Sequence, residues 1–333
     1  MTISYIIPAC NAENTLVRAI ESIVTQKLDE RDDLEILVVE NGSIDGTETI
    51  CGEMKRRYSC VKIFSSKKGV SIARNIALKH ATGEILAFCD ADDYVEPGTI
   101  CKVMAIFRDH PETTLLVCGY NKIKTNKAKT MSYSVTNTEY WTSEKFISKM
   151  LYDNRVMGSV WNKFFRKDLV AGHFFNETLT HCEDLVFMFS VMNKRNDLIR
   201  MEPFTCYNYI YNSGSAVHQP EKLFNEQNRL NYIESYRKVL VMVRENKKLT
   251  GIVKYVVVSS SIQNYFVAQN DIQRKLLVTD VRNSFFSWLF RIYLKPKNEI
   301  IHLMALPMIG MCEMRVLDAN RIREKLFQKI KRI

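Results

Sequence analysis

The sequence predicts an α/β protein with a mostly parallel sheet flanked by helices, followed by an α-helical C-terminal region. Three observations carry this. Over roughly the first ninety residues, apolar runs of strand length alternate with helix-spaced segments, the pattern of parallel strands joined by covering helices. The run Ile85-Leu86-Ala87-Phe88 is apolar throughout, as a strand buried on both faces requires, and it ends in Asp90-Ala91-Asp92-Asp93. After Pro220 the strand signal fades and helical stretches at about 221–246, 251–268 and 271–293 take over. This sets a boundary between residues 1–219 and 220–333.

Taken in order, Ile3 to Ile7 reads as a first strand stopping at Pro8, which has no N–H for a ladder. Leu16, Ala19, Ile20 and Ile23 then fall at helical spacing. Glu35 to Val39 is a second strand, and Glu40-Asn41-Gly42-Ser43-Ile44-Asp45-Gly46-Thr47 supplies turn glycines and capping side chains before a helix from Thr47 to Tyr58. A short strand at Val61–Phe64 and a helix from Gly69 to about Ala81 lead into the Ile85 strand. Further strands are expected at Leu115–Tyr120, Met131–Val135 and Thr205–Tyr211, with a helix at Ser143–Tyr152. Glu183-Asp184 opens an apolar helix, where a dipole also favours acidic residues.

In a parallel α/β sheet, ligands bind beyond the carboxyl ends of the strands. Pro8–Asn11, Glu40–Ser43 and Asp90–Asp93 all stand at such ends and should share one cleft. Asp90 and Asp92 are expected on the same side of an extended segment, because side chains repeat every two residues. Paired carboxylates repel unless a cation or hydrogen bonds offset the charge, and oxygen donors suit Mg²⁺ or Mn²⁺. A solvated acidic turn is the alternative reading of Asp90 to Gly98.

Composition sets the outer limits. The 333 residues are 46% hydrophobic and 25% charged, as in a folded globular protein. Nine scattered cysteines show no metal-binding spacing and, with no signal peptide at the start, are expected to be reduced thiols in a cytoplasmic protein. No stretch reaches the roughly 20 apolar residues of a membrane span. The net charge of +10 is concentrated late: residues 281–333 hold 11 Lys/Arg against 4 Asp/Glu. Together with Trp288 and its apolar neighbours, this predicts peripheral contact with the inner face of the cell membrane, or homo-oligomer packing of the same helices. No nucleic-acid partner is expected, because no recognition motif accompanies the charge.

The order of the motifs resembles the inverting glycosyltransferases of family 2, which have the GT-A (Rossmann-like) fold. The matching pieces are Ile6 to Glu13, Val39 to Gly46, Gly69 to Asn75, Asp90 to Asp93, Trp161-Asn162-Lys163, Glu183-Asp184 and Gly214 to His218, spanning residues 3 to 218. The resemblance implies that Pro8, Ala9, Asn11, Glu13, Glu40, Arg74, Asp90 and Ala91 hold a nucleotide-sugar donor, that of a UDP-sugar type, although many relatives carry two Asp where this chain has Glu40-Asn41. It implies Asp92 and His218 as ligands of Mn²⁺ or Mg²⁺, Asp184 as general base with Glu183 beside it, and Trp161 and Lys163 as acceptor contacts. A metal-dependent transfer of sugar to a hydroxyl of a glycan or lipid-linked glycan, in cell-surface polysaccharide synthesis, follows from it. The alternatives are a nucleotidyltransferase, disfavoured by a first turn lacking glycine or base, and a catalytically inactive scaffold that binds nucleotide-sugars.

Overall fold

The computed structural model describes residues 1–124, 129–211, 232–289, 291, 305–307 and 309. Internal contacts divide the chain into two units, Met1–Ser213 and Gly214–Ile333.

Among the described residues of the first unit, ten strands form one sheet. β1 (Thr2–Ala9), β2 (Asp33–Glu40), β3 (Val61–Ser65) and β4 (Ile85–Phe88) lie in the order β3-β2-β1-β4, all parallel. The helices that return the chain are α1 (Leu16–Val24), α2 (Thr47–Arg57) and α3 (Val70–His80). α1 buries Leu16, Ala19, Ile20 and Ile23, one stripe at helical spacing, against the sheet core. β1 does not stop at Pro8, which pairs with Val39. Successive residues of a parallel strand bond to alternate sides, and Ile6 receives the Cys89 N–H on the β4 side. Pro8 faces that same side, beyond the last β1–β4 pair at Ile6 and Phe88, so its missing N–H costs no ladder bond.

The other half of the sheet is mixed. β9 (Lys163–Arg166) inserts between β4 and β6 (Leu115–Lys124), antiparallel to both. Its apolar centre packs through both faces, Phe164 edge-on to Tyr5 at 6.5 Å and Phe165 edge-on to Phe88 at 5.9 Å. β10 (Leu198–Tyr211) runs parallel to β6 and carries β5 (Tyr94–Val95) antiparallel on its other edge. β7 (Lys129–Tyr133) pairs with β6, and β8 (Glu139–Thr142) pairs with β10. α4 (Thr99–Asp109), α5 (Ser143–Met150), the single turn α6 (Lys167–Val170) and α7 (Glu183–Met192) complete the unit.

The second unit contains α8 (Ile233–Val243), α9 (Lys247–Asn264) and α10 (Asp271–Leu289), with no strand among its described residues. Trp288 is fully buried there, and its indole N–H donates to Ser259 Oγ at 3.1 Å. It belongs to the helical core with Tyr255, Val258 and Leu277, and is not offered to a membrane. Phe286 is 72% exposed. Among the described residues, no helix is long and apolar enough to cross a membrane, and all eight cysteines are free thiols.

Candidate active site

Two loops at the carboxyl edge of β1 and β2 are knitted together by polar side chains. Asn11 adopts a left-handed backbone (φ 49°), which Asn tolerates, and its Oδ1 accepts the Ile44 N–H at 2.9 Å. Glu13 Oε2 accepts the Gly46 N–H at 2.8 Å, and the Ala12 N–H donates to Thr47 Oγ1 at 2.7 Å. Glu40 Oε1 accepts the Ser43 N–H at 2.6 Å. Partial burial would raise the pKa of Glu40, but the Ser43 and Gly42 hydrogen bonds outweigh it and hold the group below its ordinary value. Pro8 and Ala9 are buried under these loops. Asn41 is 4% exposed, and its Oδ1 is a buried acceptor with no hydrogen-bond partner.

The acidic segment after β4 is a turn and not an extended strand: the Asp93 N–H closes back on the Asp90 carbonyl at 3.1 Å. The expectation that Asp90 and Asp92 share one face of a strand is therefore corrected, because tight closure replaces the two-residue alternation. The three carboxylates separate by environment. Asp93 is 1% exposed and accepts from Tyr207 Oη at 2.9 Å and the Ile210 N–H at 2.7 Å, tying the turn to β10. Asp90 is partly exposed and paired with Arg74. Asp92 is exposed, yet loss of surrounding water and then the Asp90 charge raise its pKa. Arg18 holds this turn by donating to the Asp92 carbonyl at 2.5 Å. Ala91 is buried beneath it.

Arg74, projecting from α3, joins this turn to α7. Its Nη2 donates to Asp90 Oδ1 at 3.0 Å and its Nη1 to Glu183 Oε1 at 2.7 Å, and its guanidinium lies 5.2 Å from the Phe175 ring centre. Burial opposes its charge, but the carboxylates of Asp90, Glu183 and Asp184 outweigh that and raise its pKa. The neighbouring Asn75 clamps the Phe175 backbone from both sides, at 2.9 Å and 2.8 Å. Phe175 in turn stacks on Phe187 of α7 at 4.1 Å. α7 begins after Cys182, whose left-handed backbone (φ 54°) is unusual for a residue with a side chain. Asp184 Oδ1 accepts the Leu185 N–H at 2.8 Å. Burial first, and the Glu183 charge second, push the Asp184 carboxyl up to about 7, a range suited to proton uptake near neutrality.

Trp161 is 7% exposed, stacked 4.6 Å from Tyr207 and 5.9 Å from Tyr209. The acceptor contact expected of Lys163 is corrected: the residue is fully buried, and its ammonium donates to the carbonyls of Val156, Met157 and Ser159 and to Asn162 Oδ1 at 2.6–3.0 Å. Burial lowers its pKa to about 7, with the Asp184 charge opposing. All four partners are acceptors for its N–H groups, so Lys163 is a strut for the loop before β9. His218 lies outside the described residues. The motif reading missed Asn41, whose buried empty acceptor only the fold reveals, and Asp93, whose acidic neighbours hide a scaffold role.

The profile described as "Glycosyl transferase family 2" matches residues 4–174, and the chain belongs to that family. It is a glycosyltransferase with the GT-A type of fold. EpsH of Bacillus subtilis (strain 168) is 26% identical over 257 residues, 72% of each chain. The minor teichoic acid biosynthesis protein GgaB of the same organism is 26% identical over 283 residues, 84% of this chain and 29% of that protein. The structure of S. aureus TarS 1-349 in complex with UDP-GlcNAc superposes with a TM-score of 0.65 at 17% identity, covering 99% of this chain and 92% of that one. That likeness is one of fold.

Proposed function

We propose that the protein is a metal-dependent inverting glycosyltransferase that moves a sugar from a UDP-sugar to a hydroxyl of a glycan or lipid-linked glycan in cell-surface polysaccharide synthesis. The observation that carries this reading is Arg74, one buried cation bonded to both Asp90 and Glu183, which brings the acidic turn and the start of α7 to one point. The relative named for teichoic acid biosynthesis and the neighbour solved with UDP-GlcNAc support the substrate class.

On this reading Asn11, Glu13 and Glu40 shape the nucleoside pocket over Pro8 and Ala9. The Asn41 Oδ1, buried and unpaired, is an acceptor for the N3–H of uracil. Among the described residues no three His, Cys, Asp or Glu side chains converge as a metal cage. The residues present nonetheless fit Mn²⁺ or Mg²⁺, which take one or two carboxylates and complete their shell with substrate phosphates and water. Asp92 offers an accessible carboxylate whose pKa is raised first by loss of surrounding water and then by the Asp90 charge, a repulsion that a cation relieves. Asp92 would hold the ion, with Asp90 and Ala91 along the diphosphate. When bound, the ion supplies positive charge for the departing diphosphate. Asp184 takes the proton of the acceptor hydroxyl as it attacks the anomeric carbon from the face opposite the diphosphate, and a single displacement inverts the configuration. Arg74 holds Glu183 and Asp90 beside it through one hydrogen bond to each.

The test is a transfer and hydrolysis screen over UDP-, GDP- and dTDP-sugars with Mn²⁺. Release of UDP, abolished by EDTA and restored by added Mn²⁺, is expected. Equal turnover in EDTA would remove the metal, and turnover of only the other nucleotides would remove the UDP reading.

A further inference from the structure

With Lys163 sealed inside the fold, the bases available to a second substrate lie elsewhere on the same sheet. We propose that Lys122 and Lys124 of β6, with Tyr209 and Tyr211 of β10, form the acceptor subsite, and that it takes an acceptor carrying a phosphate group beside its sugar or polyol. This rests on the glycosyltransferase reading above.

The sheet register builds the site. β6 and β10 are parallel, with Tyr120 opposite Tyr207, Lys122 opposite Tyr209 and Lys124 opposite Tyr211. Side chains two apart on a strand share a face, so these pairs form three successive rungs on one side of the sheet. The innermost rung is core: Tyr207 and Tyr120 are buried, stacked on or edge-on to Trp161. The outer rungs are half-buried. Lys122 Nζ lies 5.8 Å from the Tyr209 ring centre and 4.5 Å from that of Tyr211, and Lys124 Nζ lies 5.3 Å from Tyr211. Among the described residues, neither lysine forms an ion pair with a carboxylate. Burial and then the charge of Lys124 lower the pKa of Lys122, so an anion placed between them would relieve both effects.

Position distinguishes this face from the donor pocket. The sheet order is β2-β1-β4-β9-β6-β10, so the loops proposed to hold the nucleoside and the Lys/Tyr rungs flank the acidic turn on opposite sides. Three strand spacings separate β1 from β6, roughly 14 Å. The Ile210 N–H bonded to Asp93 keeps Tyr209 and Tyr211 alongside that turn. Flat tyrosine rings suit a sugar or polyol face, and a compact ammonium suits a phosphate oxygen.

The experiment is calorimetric titration of the full chain, with UDP and Mn²⁺ present, using three probes: a glycerol-phosphate oligomer, geranyl diphosphate and a neutral dextran oligosaccharide. Salt-sensitive binding of an anionic probe is expected, weakened at least tenfold by Lys122→Ala/Lys124→Ala and largely kept by Lys122→Arg/Lys124→Arg, with UDP affinity unchanged. If the double alanine variant fails to fold, Lys122→Gln and Lys124→Gln singly carry the same comparison. Lysine-dependent binding of the oligomer assigns the phosphate to a polymer backbone, and of geranyl diphosphate to a lipid-linked end; either supports the subsite. Intact UDP binding with no anionic probe bound, with the alanine variant unimpaired, or with dextran bound equally well, overturns it. Loss of UDP binding by the unaltered chain instead overturns the donor reading on which it rests.

Discussion

At the scale of single residues, Asp184 and Arg74 set the chemistry against each other. Burial and the Glu183 charge push the Asp184 pKa up, while the Arg74 cation pulls it down, leaving it at about 7. An acid with a folded pKa above its unfolded value of about 4 is ionised at a cost, so this group's contribution to stability falls as pH climbs from about 4 to about 7. A base must be ionised to work, so activity rises through the same window. The rate profile for kcat/KM is expected to show an acid limb near pH 7, shifted to lower pH in Glu183→Gln, where the second cause of the elevation is gone. Asp184→Asn is expected to lower kcat at least about a hundredfold with UDP affinity retained, as measured by single-turnover transfer beside calorimetry. Near-normal turnover in that variant would take Asp184 out of the role.

At the scale of elements, the start of α7 is placed by close packing and not by a cap, since no side chain caps it. Gly158 lies directly against it: a Cβ there would come 2.6 Å from Leu185 Cδ1, 3.0 Å from its Cβ and 3.2 Å from its Cα. Leu185 Cδ1 can rotate away, but its Cβ and Cα must give by a few tenths of an ångström, so Gly158→Ala displaces the turn that carries Glu183 and Asp184. Rate is sensitive to such misplacement, since a shift of about 1 Å at a reacting group costs on the order of a hundredfold. Gly158→Ala is therefore expected to lower kcat far more than it lowers UDP affinity, while Gly52→Ala, with open space around it, is expected to leave both unchanged. Equal kcat in the two variants would show that α7 tolerates the displacement. These elements also show what could be read in advance. β1, β2 and β4 announce themselves because both faces are buried and the residues are apolar throughout. β9 does not, because Lys163 and Arg166 bracket two phenylalanines in a strand of four residues, and only its neighbours complete it.

At the scale of the whole molecule, the described residues include a hydrophobic core against the sheet and another among α8, α9 and α10. For the helical region we propose peripheral association with anionic membrane, carried by the cationic residues of 281–333 and by Phe286, because Trp288 is committed to the core. Co-sedimentation with phosphatidylserine vesicles at low salt, reversed by about 1 M salt where the screening length is only about 3 Å, is the expected outcome. Full recovery in the supernatant, with a concentration-dependent mass by light scattering, would give those helices to a homo-oligomer instead.

By itself the chain determined the parallel half of the sheet, the cluster of aspartates at the end of β4, and the pairing of Glu183 with Asp184 at a helix start. These are local: apolar runs, turn residues and capping positions act over a few neighbours in sequence. Only the tertiary structure decided which charges are sealed in and which stay accessible. Lys163 reads like an exposed base and is sealed in by four oxygens, whereas Lys122 and Lys124 read like an ordinary strand end and stand in an aromatic face beside the aspartates. Burial depends on residues far away along the chain, and it is burial that converts a charged side chain into either a strut or a site.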